Sequence, residues 1–182
     1  MPELVPHPHS PSRAARAVKV KATRTVDGKL SLHYELHGDV ARMNIPAPAR
    51  ARIAWKLWRH TCCEVFVRAD GAEAYHELNF SPSGEWAAYA FDRYREGRSL
   101  TDESLDPQIA IESQPEQLDL YALVDLARLA PAYRQARLRI GLAVIIEEGT
   151  GGYSYWALRH APGKPDFHHL DAFALALDEV RH

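Results

Sequence analysis

The sequence has little cysteine, little methionine and no long hydrophobic run. Its two cysteines are the neighbours Cys62 and Cys63. Adjacent residues of a strand point to opposite faces, so a disulfide between them is not expected. We interpret both as small buried residues, with a reactive thiol or a metal ligand as the alternative. No apolar run approaches the roughly 18 to 20 residues that span a bilayer, and the N-terminus lacks the apolar core of a secretion signal. A cytoplasmic protein without a membrane partner is therefore expected.

The charged residues are nearly balanced, since 22 basic and 24 acidic side chains give a formal charge of −2. Such a chain has no general attraction to polyanions, so nucleic acid is not an expected partner. Its 182 residues suit one domain that buries a proper core without disulfides or metal. The prediction is a mobile, proline-rich arm over residues 1–16 and a single domain over residues 17–182. A metal held by His7 and His9 is the less favoured interpretation of the arm.

Most of the chain consists of short segments that alternate between apolar and polar residues, a pattern typical of strands. Strands are predicted at Ala17–Thr25, Lys29–Leu36, Thr61–Arg68, Glu73–Ser81, Glu85–Asp92, Pro107–Ser113, Gln117–Leu126, Ala136–Glu147, Tyr153–Leu158 and Asp171–Leu177. The other segments predict a short helix or irregular loop at Ala49–Trp58, a surface loop at Arg93–Ser104 and a helical turn within Ala127–Gln135. An all-β, antiparallel β-sandwich of nine or ten strands is expected, with a closed barrel as the alternative.

The three central strands collect polar side chains on one face of the predicted sheet. Glu64 shares its face of the first strand with Cys62 and Phe66, and Tyr75, Glu77 and Asn79 share a face of the second. A sugar needs a flat aromatic surface for its C–H faces and carboxylate or amide groups for its hydroxyls.

Tryptophans could supply the aromatic surface for such a ligand. Trp58 precedes the first of the central strands, and Trp156 is a second aromatic surface if the fold returns its strand to this end. The alternative is that Trp58, Trp86 and Trp156 belong to the core and that the polar side chains are solvated.

These motifs resemble those of family 9 carbohydrate-binding modules and the related DOMON domains. The resemblance rests on Trp58, Glu64–Val67, Tyr75–Asn79 and Gly84–Trp86. The segment from Trp156 through Pro162–His168 resembles a bacterial subgroup of DOMON-like proteins. At the level of strand order the resemblance covers most of Val18–Leu177.

The resemblance implies a site in which two tryptophans sandwich a terminal sugar while a Glu and an Arg-x-Asn bond its hydroxyls. Glu77 stands where the sugar-binding members have the Arg, so two carboxylates are brought together. One of them then takes up a proton or needs a cation, which Arg59, His60 or Lys164 could supply. The predicted ligand-binding residues are Trp58, His60, Glu64, Tyr75, Glu77, Asn79, Trp156 and Lys164. The expected ligand is a small sugar or sugar derivative, bound without catalysis.

Three other functions are less favoured by the sequence. Haem is one, since the resemblance implies a haem-binding branch of the family, but Met43 lies in no recognisable haem motif, so no cofactor is expected. A glycoside-processing enzyme could use Glu64 and Glu77, since its two carboxyl groups need a separation of roughly 5 to 9.5 Å. A metal site could use His168 and His169 with His160, Asp166 and Asp171, but adjacent histidines face opposite ways on an extended backbone, so no metal is predicted.

Overall fold

The computed structural model describes residues 1–178, and its regular secondary structure is almost entirely antiparallel strand. There are twelve: β1 (Glu3–Pro6), β2 (Ala15–Arg24), β3 (Leu30–Gly38), β4 (Cys62–Ala69), β5 (Tyr75–Phe80), β6 (Trp86–Arg93), β7 (Glu96–Leu100), β8 (Gln108–Gln114), β9 (Gln117–Val124), β10 (Leu138–Glu147), β11 (Tyr153–Ala157) and β12 (Leu175–Leu177). Within residues 1–178 the only α-helix is α1 (Leu126–Leu129). No helix in this range is long and apolar enough to cross a membrane.

The strands form two layers that are joined at one corner. Hydrogen bonds connect them in the order β7-β6-β5-β4-β10-β11-β1-β2-β3-β9-β8, and β12 pairs with β10. β1 lies at the corner, because it pairs with β11 through Val5 and Ala157 and with β2 through Leu4 and Val18. The predicted antiparallel β-sandwich is confirmed, with twelve strands instead of nine or ten.

The core lies between the two layers and is built by the alternation of the strands. Val65 on β4 and Val144 on β10 belong to one apolar cluster with Val18, Tyr34 and Leu120 of the other layer. The Tyr34 hydroxyl donates a hydrogen bond of 2.8 Å to the backbone carbonyl of Glu64, which connects the layers directly. The second face of β4 therefore points away from the core and is free to build a site.

The N-terminal segment differs from the prediction of a mobile arm. β1 gives it hydrogen bonds to both layers, and Leu4 is only 1% exposed. His7 is also buried, and its Nε2 lies 3.1 Å from the carbonyl oxygen of Gly163. The period-two pattern gave no sign of β1, because Leu4 and Val5 are adjacent apolar residues among prolines and only Leu4 reaches the core.

The predicted surface loop at Arg93–Ser104 contains the edge strand β7. Its residues are almost all exposed, so the sequence shows no apolar alternation there. Charged side chains such as Glu96 and Arg98 are typical of edge strands, because they discourage pairing with another chain.

The short non-strand elements are close to their predicted positions. A 3-10 helix at Leu57–Arg59 ends the segment predicted as a short helix or loop. α1 and a 3-10 helix at Pro131–Arg134 replace the predicted helical turn. The last predicted strand is shorter than expected, because a 3-10 helix at Leu170–Ala172 precedes β12.

The two cysteines are free and buried. Burial raises the pKa of both thiols, which disfavours the nucleophilic thiolate. Their interpretation as small buried residues is therefore favoured over that of reactive groups.

Candidate functional site

A pocket of about 470 Å³ lies on the outer face of the layer that contains β4, β5, β6, β10 and β11. It is lined by Trp58, Glu64, Phe66, Glu77, Tyr89, Phe91, Arg95, Ile145, Tyr155, Pro165, Phe167 and His168. A second hollow, of about 700 Å³, shares only His168 with it and lies on the other side of Tyr75. The first pocket is our candidate site, because two buried carboxyl groups meet in it.

The register of β4 and β5 brings these carboxyl groups together. Glu64 is paired with Asn79, and Phe66 with Glu77, so Glu64 and Glu77 are diagonal neighbours on one face. Glu64 is 3% exposed and Glu77 is 6% exposed. Asn79 lies behind Glu77, and its Nδ2 donates a hydrogen bond of 2.9 Å to Glu77 Oε1.

Glu64 differs from Glu77, because no residue among 1–178 donates a hydrogen bond to its carboxyl group. The hydrogen bond from the Tyr34 hydroxyl goes to the backbone carbonyl of Glu64 instead. The side-chain oxygen Oδ1 of Asn79 is also buried, and it has no hydrogen-bond partner among the described residues. Buried polar groups are normally paired, so the unpaired Asn79 Oδ1 and a Glu64 carboxyl group without a donor in this part of the chain leave hydrogen bonds for water or a ligand to complete.

Both carboxyl groups hold protons more tightly than they would in water. Burial raises the pKa of Glu64 well above its ordinary value, and the nearby Glu77 raises it further. Burial also raises the pKa of Glu77 to about 7, although the Asn79 hydrogen bond and Arg95 act in the opposite direction. Because a water-poor site disfavours two negative charges, the pair retains a proton at neutral pH.

Aromatic rings form the walls above the carboxyl groups. Trp58, which follows Leu57 in its 3-10 helix, is 46% exposed at the mouth of the pocket. Tyr89 and Phe91 come from alternate positions of β6, and Tyr155 from β11. Phe91 is held by Tyr75, which stacks on it with ring centroids 4.7 Å apart. The exposed indole and these rings provide flat apolar surface beside polar groups.

Two loops complete the site and contribute its other charges. The Arg95 guanidinium lies 2.9 Å from Asp166, so its charge is balanced. The Tyr75 hydroxyl lies 2.9 Å from His168 Nδ1, and His168 Nε2 lies 3.7 Å from Glu77 Oε2. Burial, with a contribution from Arg95, lowers the pKa of His168 to about 4, so this ring is neutral at pH 7. Because the ring is neutral and Arg95 is already paired with Asp166, the described residues that line the pocket offer the two carboxyl groups no unpaired cation.

The structure brings together only some of the predicted ligand-binding residues. Trp58, Glu64 and Glu77 line the pocket, and Asn79 and Tyr75 lie immediately behind it. Trp156 does not line the pocket: it is 3% exposed in the core, and the neighbouring Tyr155 lines the pocket instead. The reason is the pairing of Trp156 with Val144, because residues paired across strands share a face.

The cations predicted to compensate the carboxylates also lie elsewhere. His60 is exposed, and its Nδ1 lies 2.7 Å from Glu147 Oε2. Arg59 lies 5.5 Å from the Trp58 ring. Lys164 is exposed, and only the following residue, Pro165, reaches the pocket. Arg95, which the sequence analysis did not single out, is the basic residue that lines the site.

The residues that the sequence analysis missed are of two kinds. Tyr89 and Phe91 share a face of a correctly predicted strand, so the alternation of β6 was a usable signal. Arg95 and Phe167 come from loops, where no periodicity indicates which side chains turn inwards.

One group of potential metal ligands occurs among residues 1–178, and it is far from the pocket. His33, Glu35 and Asp119 place their ligand atoms within 4.8 Å of one another on β3 and β9, in the other layer. His33 Nε2 already lies 2.7 Å from Asp119 Oδ1, and His37 Nε2 lies 3.0 Å from Glu35 Oε2. These side chains satisfy one another as a polar network on the outer face.

The comparisons with known proteins concern the fold. No family model and no curated protein matches the chain. A crystal structure of a proposed carbohydrate-binding protein from Bacteroides uniformis is similar, with a TM-score of 0.64 and 13% identity over 93% of this chain and 81% of that one. A family 9 carbohydrate-binding module from Caldicellulosiruptor kristjanssonii, in complex with glucose, gives a TM-score of 0.48 and 12% identity over 85% of this chain and 71% of that one.

Proposed function

We propose that this protein binds a small carbohydrate or sugar derivative, without catalysis, in the pocket above Glu64 and Glu77. The observation that carries the proposal is the combination of an exposed indole with two buried carboxyl groups in one cavity of about 470 Å³. This volume is within the usual range for small-molecule sites. The fold is that of the Bacteroides uniformis protein described as carbohydrate-binding, which supports the same class of ligand.

Each part of the pocket has a role in this function. Trp58 covers the apolar face of a sugar ring, as aromatic side chains do with C–H surfaces. Glu64 and Glu77 bond its hydroxyl groups, and a protonated carboxyl group can donate as well as accept. Asn79 fixes the orientation of Glu77 through its 2.9 Å hydrogen bond.

Isothermal titration calorimetry with a panel of monosaccharides tests the proposal. Trp58→Ala should weaken the binding of every ligand by about 3- to 10-fold, since ring stacking contributes about 0.5–1.5 kcal/mol. Trp55→Ala is the comparison, because Trp55 is equally exposed at 45% and does not line the pocket itself; its only link to the pocket among the aromatic contacts of residues 1–178 is an edge-on contact with Tyr89, with ring centroids 6.0 Å apart. Its effect should stay below about twofold. Equal losses in both variants, or no binding by the wild type, would contradict the proposal.

One observation favours a glycoside-processing enzyme as the second candidate. The pKa of Glu77, at about 7, suits a general acid near neutral pH. If the protein were such an enzyme, it would turn over nitrophenyl glycosides, and Glu77→Gln would abolish the turnover. Under our proposal the wild type binds sugars and releases no nitrophenol.

A further inference from the structure

We infer that the ligand is an amine-bearing sugar, whose ammonium group binds between Glu64 and Glu77. The inference rests on the proposed function and specifies its ligand class. Its starting point is Glu64, a buried carboxyl group at the pocket wall with no donor among residues 1–178. An ammonium group carries three donors and the charge that these carboxyl groups lack.

The charges beside the carboxyl pair disfavour anionic ligands. The Arg95 guanidinium, which lowers the pKa of Glu77, is already paired with Asp166 at 2.9 Å, so these two side chains together carry no net charge. A sugar phosphate or uronic acid would place its negative charge beside Glu64 and Glu77, and the described residues that line the pocket offer it no unpaired cation. A cationic ligand instead replaces the proton that the pair retains, because either charge relieves the repulsion between two buried carboxylates.

The aromatic walls favour the same ligand class. Phe66, Tyr89, Phe91 and Tyr155 line the pocket around the carboxyl groups, and a π face attracts a cation. A bare metal ion is less suitable, since the phenylalanine rings offer it no ligand atoms and burial raises the pKa of Tyr89 and Tyr155, which keeps their hydroxyl groups protonated. The group of three potential metal ligands within residues 1–178 lies in the other layer. Carboxyl groups, rings and an indole at the mouth together match a sugar ring with a charged amine.

Amine binding should be linked to proton release. Besides the two carboxyl groups, the titratable groups that face them are Cys62, Tyr75, Tyr89, Tyr155 and His168, with the Arg95 and Asp166 pair. Burial raises the pKa of the thiol and of the three tyrosines, and it lowers that of His168 to about 4. All of these groups therefore keep one charge state between about pH 5.5 and 7.5.

The sign of the pH dependence follows from this exchange. Below the Glu77 pKa of about 7, the ammonium group must displace a proton from the pair. The affinity for an amino sugar should therefore rise with pH, by up to about tenfold per unit, until the sugar's own amine begins to lose its proton at about pH 8. The affinity for a neutral sugar should change much less, since no charge replaces the proton.

Calorimetry of paired sugars tests the inference. D-glucosamine is compared with D-glucose, and D-galactosamine is compared with D-galactose. N-acetyl-D-glucosamine serves as the uncharged derivative of glucosamine. Every sugar is titrated at pH 5.5, 6.5 and 7.5. At pH 7.5 each amino sugar should bind at least about tenfold more tightly than its neutral partner. Titrations in buffers of different ionisation enthalpy should show that the wild type releases protons only with the amino sugars.

Variants locate the preference in the carboxyl pair. Glu64→Gln and Glu77→Gln keep the side-chain shape and should each reduce the preference to about threefold or less. Glu147→Gln, which alters a carboxyl group outside the pocket, should leave it unchanged. Equal affinity for amino and neutral sugars at every pH would overturn the inference and leave the proposed sugar binding intact. If no sugar binds, the proposed function and this inference both fail. If EDTA abolishes sugar binding and a divalent cation restores it, the carboxyl pair holds a metal and the inference is wrong.

Discussion

At the scale of single residues, Glu77 and His168 affect the pH dependence of stability in opposite directions. Glu77 has a folded pKa of about 7 against an ordinary value of 4.5, so the folded state binds its proton more tightly. Its contribution to stability is therefore lost as the pH rises from 4.5 to 7. His168 has a folded pKa of about 4 against 6.5, so its contribution is lost as the pH falls from 6.5 to 4. The two effects oppose each other between about pH 4.5 and 6.5.

Single substitutions should separate these two contributions. Glu77→Gln should make the free energy of unfolding increase more steeply with pH than in the wild type, by about 1–3 kcal/mol across this range. His168→Gln should change the slope in the opposite direction. Urea denaturation at pH 4.5, 5.5 and 6.5 measures both slopes. If the free energy of unfolding changed with pH by the same amount in the wild type and both variants, burial would not shift the pKa values of Glu77 and His168.

At the scale of elements, β1 joins the two layers and contains a single buried apolar side chain. Leu4 is 1% exposed, whereas the neighbouring Val5 is 53% exposed. Leu4→Ala should lower the free energy of unfolding by about 2–4 kcal/mol, because it leaves a cavity in the core. Val5→Ala is the matched control and should change it by less than about 0.5 kcal/mol. A small effect of Leu4→Ala in urea denaturation would support the mobile arm that the sequence predicted.

The edge strand β7 supports the pocket through a glycine. Gly97 is paired with Phe91, and a Cβ atom at Gly97 would lie 2.4 Å from the Ala90 carbonyl oxygen and 2.5 Å from Phe91 Cδ1. Gly97→Ala should therefore destabilise the protein by about 1–3 kcal/mol and weaken sugar binding, because Phe91 lines the pocket.

Arg98→Ala provides the comparison for this prediction, since Arg98 is an exposed residue of the same strand and pairs with Ala90, which does not line the pocket. It should change neither stability nor affinity beyond about 0.5 kcal/mol. Thermal melting and calorimetry on both variants measure the two effects. A glycine variant that binds sugar normally would mean that Phe91 is not held in place by β7.

At the scale of the whole molecule, the sequence predicted the faces of single strands better than the relation between strands. The period of two placed Glu64 and Glu77 on the outer face of their layer, because their neighbours Val65 and Leu78 are strongly apolar. The same rule could not tell whether Tyr155 or Trp156 faces the pocket, since β11 carries aromatic residues on both faces. Only its pairing with β10 decides which ring enters the core.

The loops were the least predictable part of the site. Arg95 and His168 reach the pocket from segments about 70 residues apart in the chain, and their positions depend on contacts with Tyr75 and Asp166. Such contacts follow from the assembled fold and leave no local pattern in the sequence. The acidic floor of the site and Trp58 could thus be predicted, whereas most of the aromatic wall and the charge balance could not.

The position of the pocket on the outer face has a consequence for the speed of ligand exchange. The side chains that hold the layers together, such as Val65 and Val144, point away from the pocket. A ligand can therefore enter and leave without separating the layers or breaking a backbone hydrogen bond. Association then depends on diffusion past the exposed Trp58 ring, so a stopped-flow trace should show one phase whose rate increases linearly with ligand concentration.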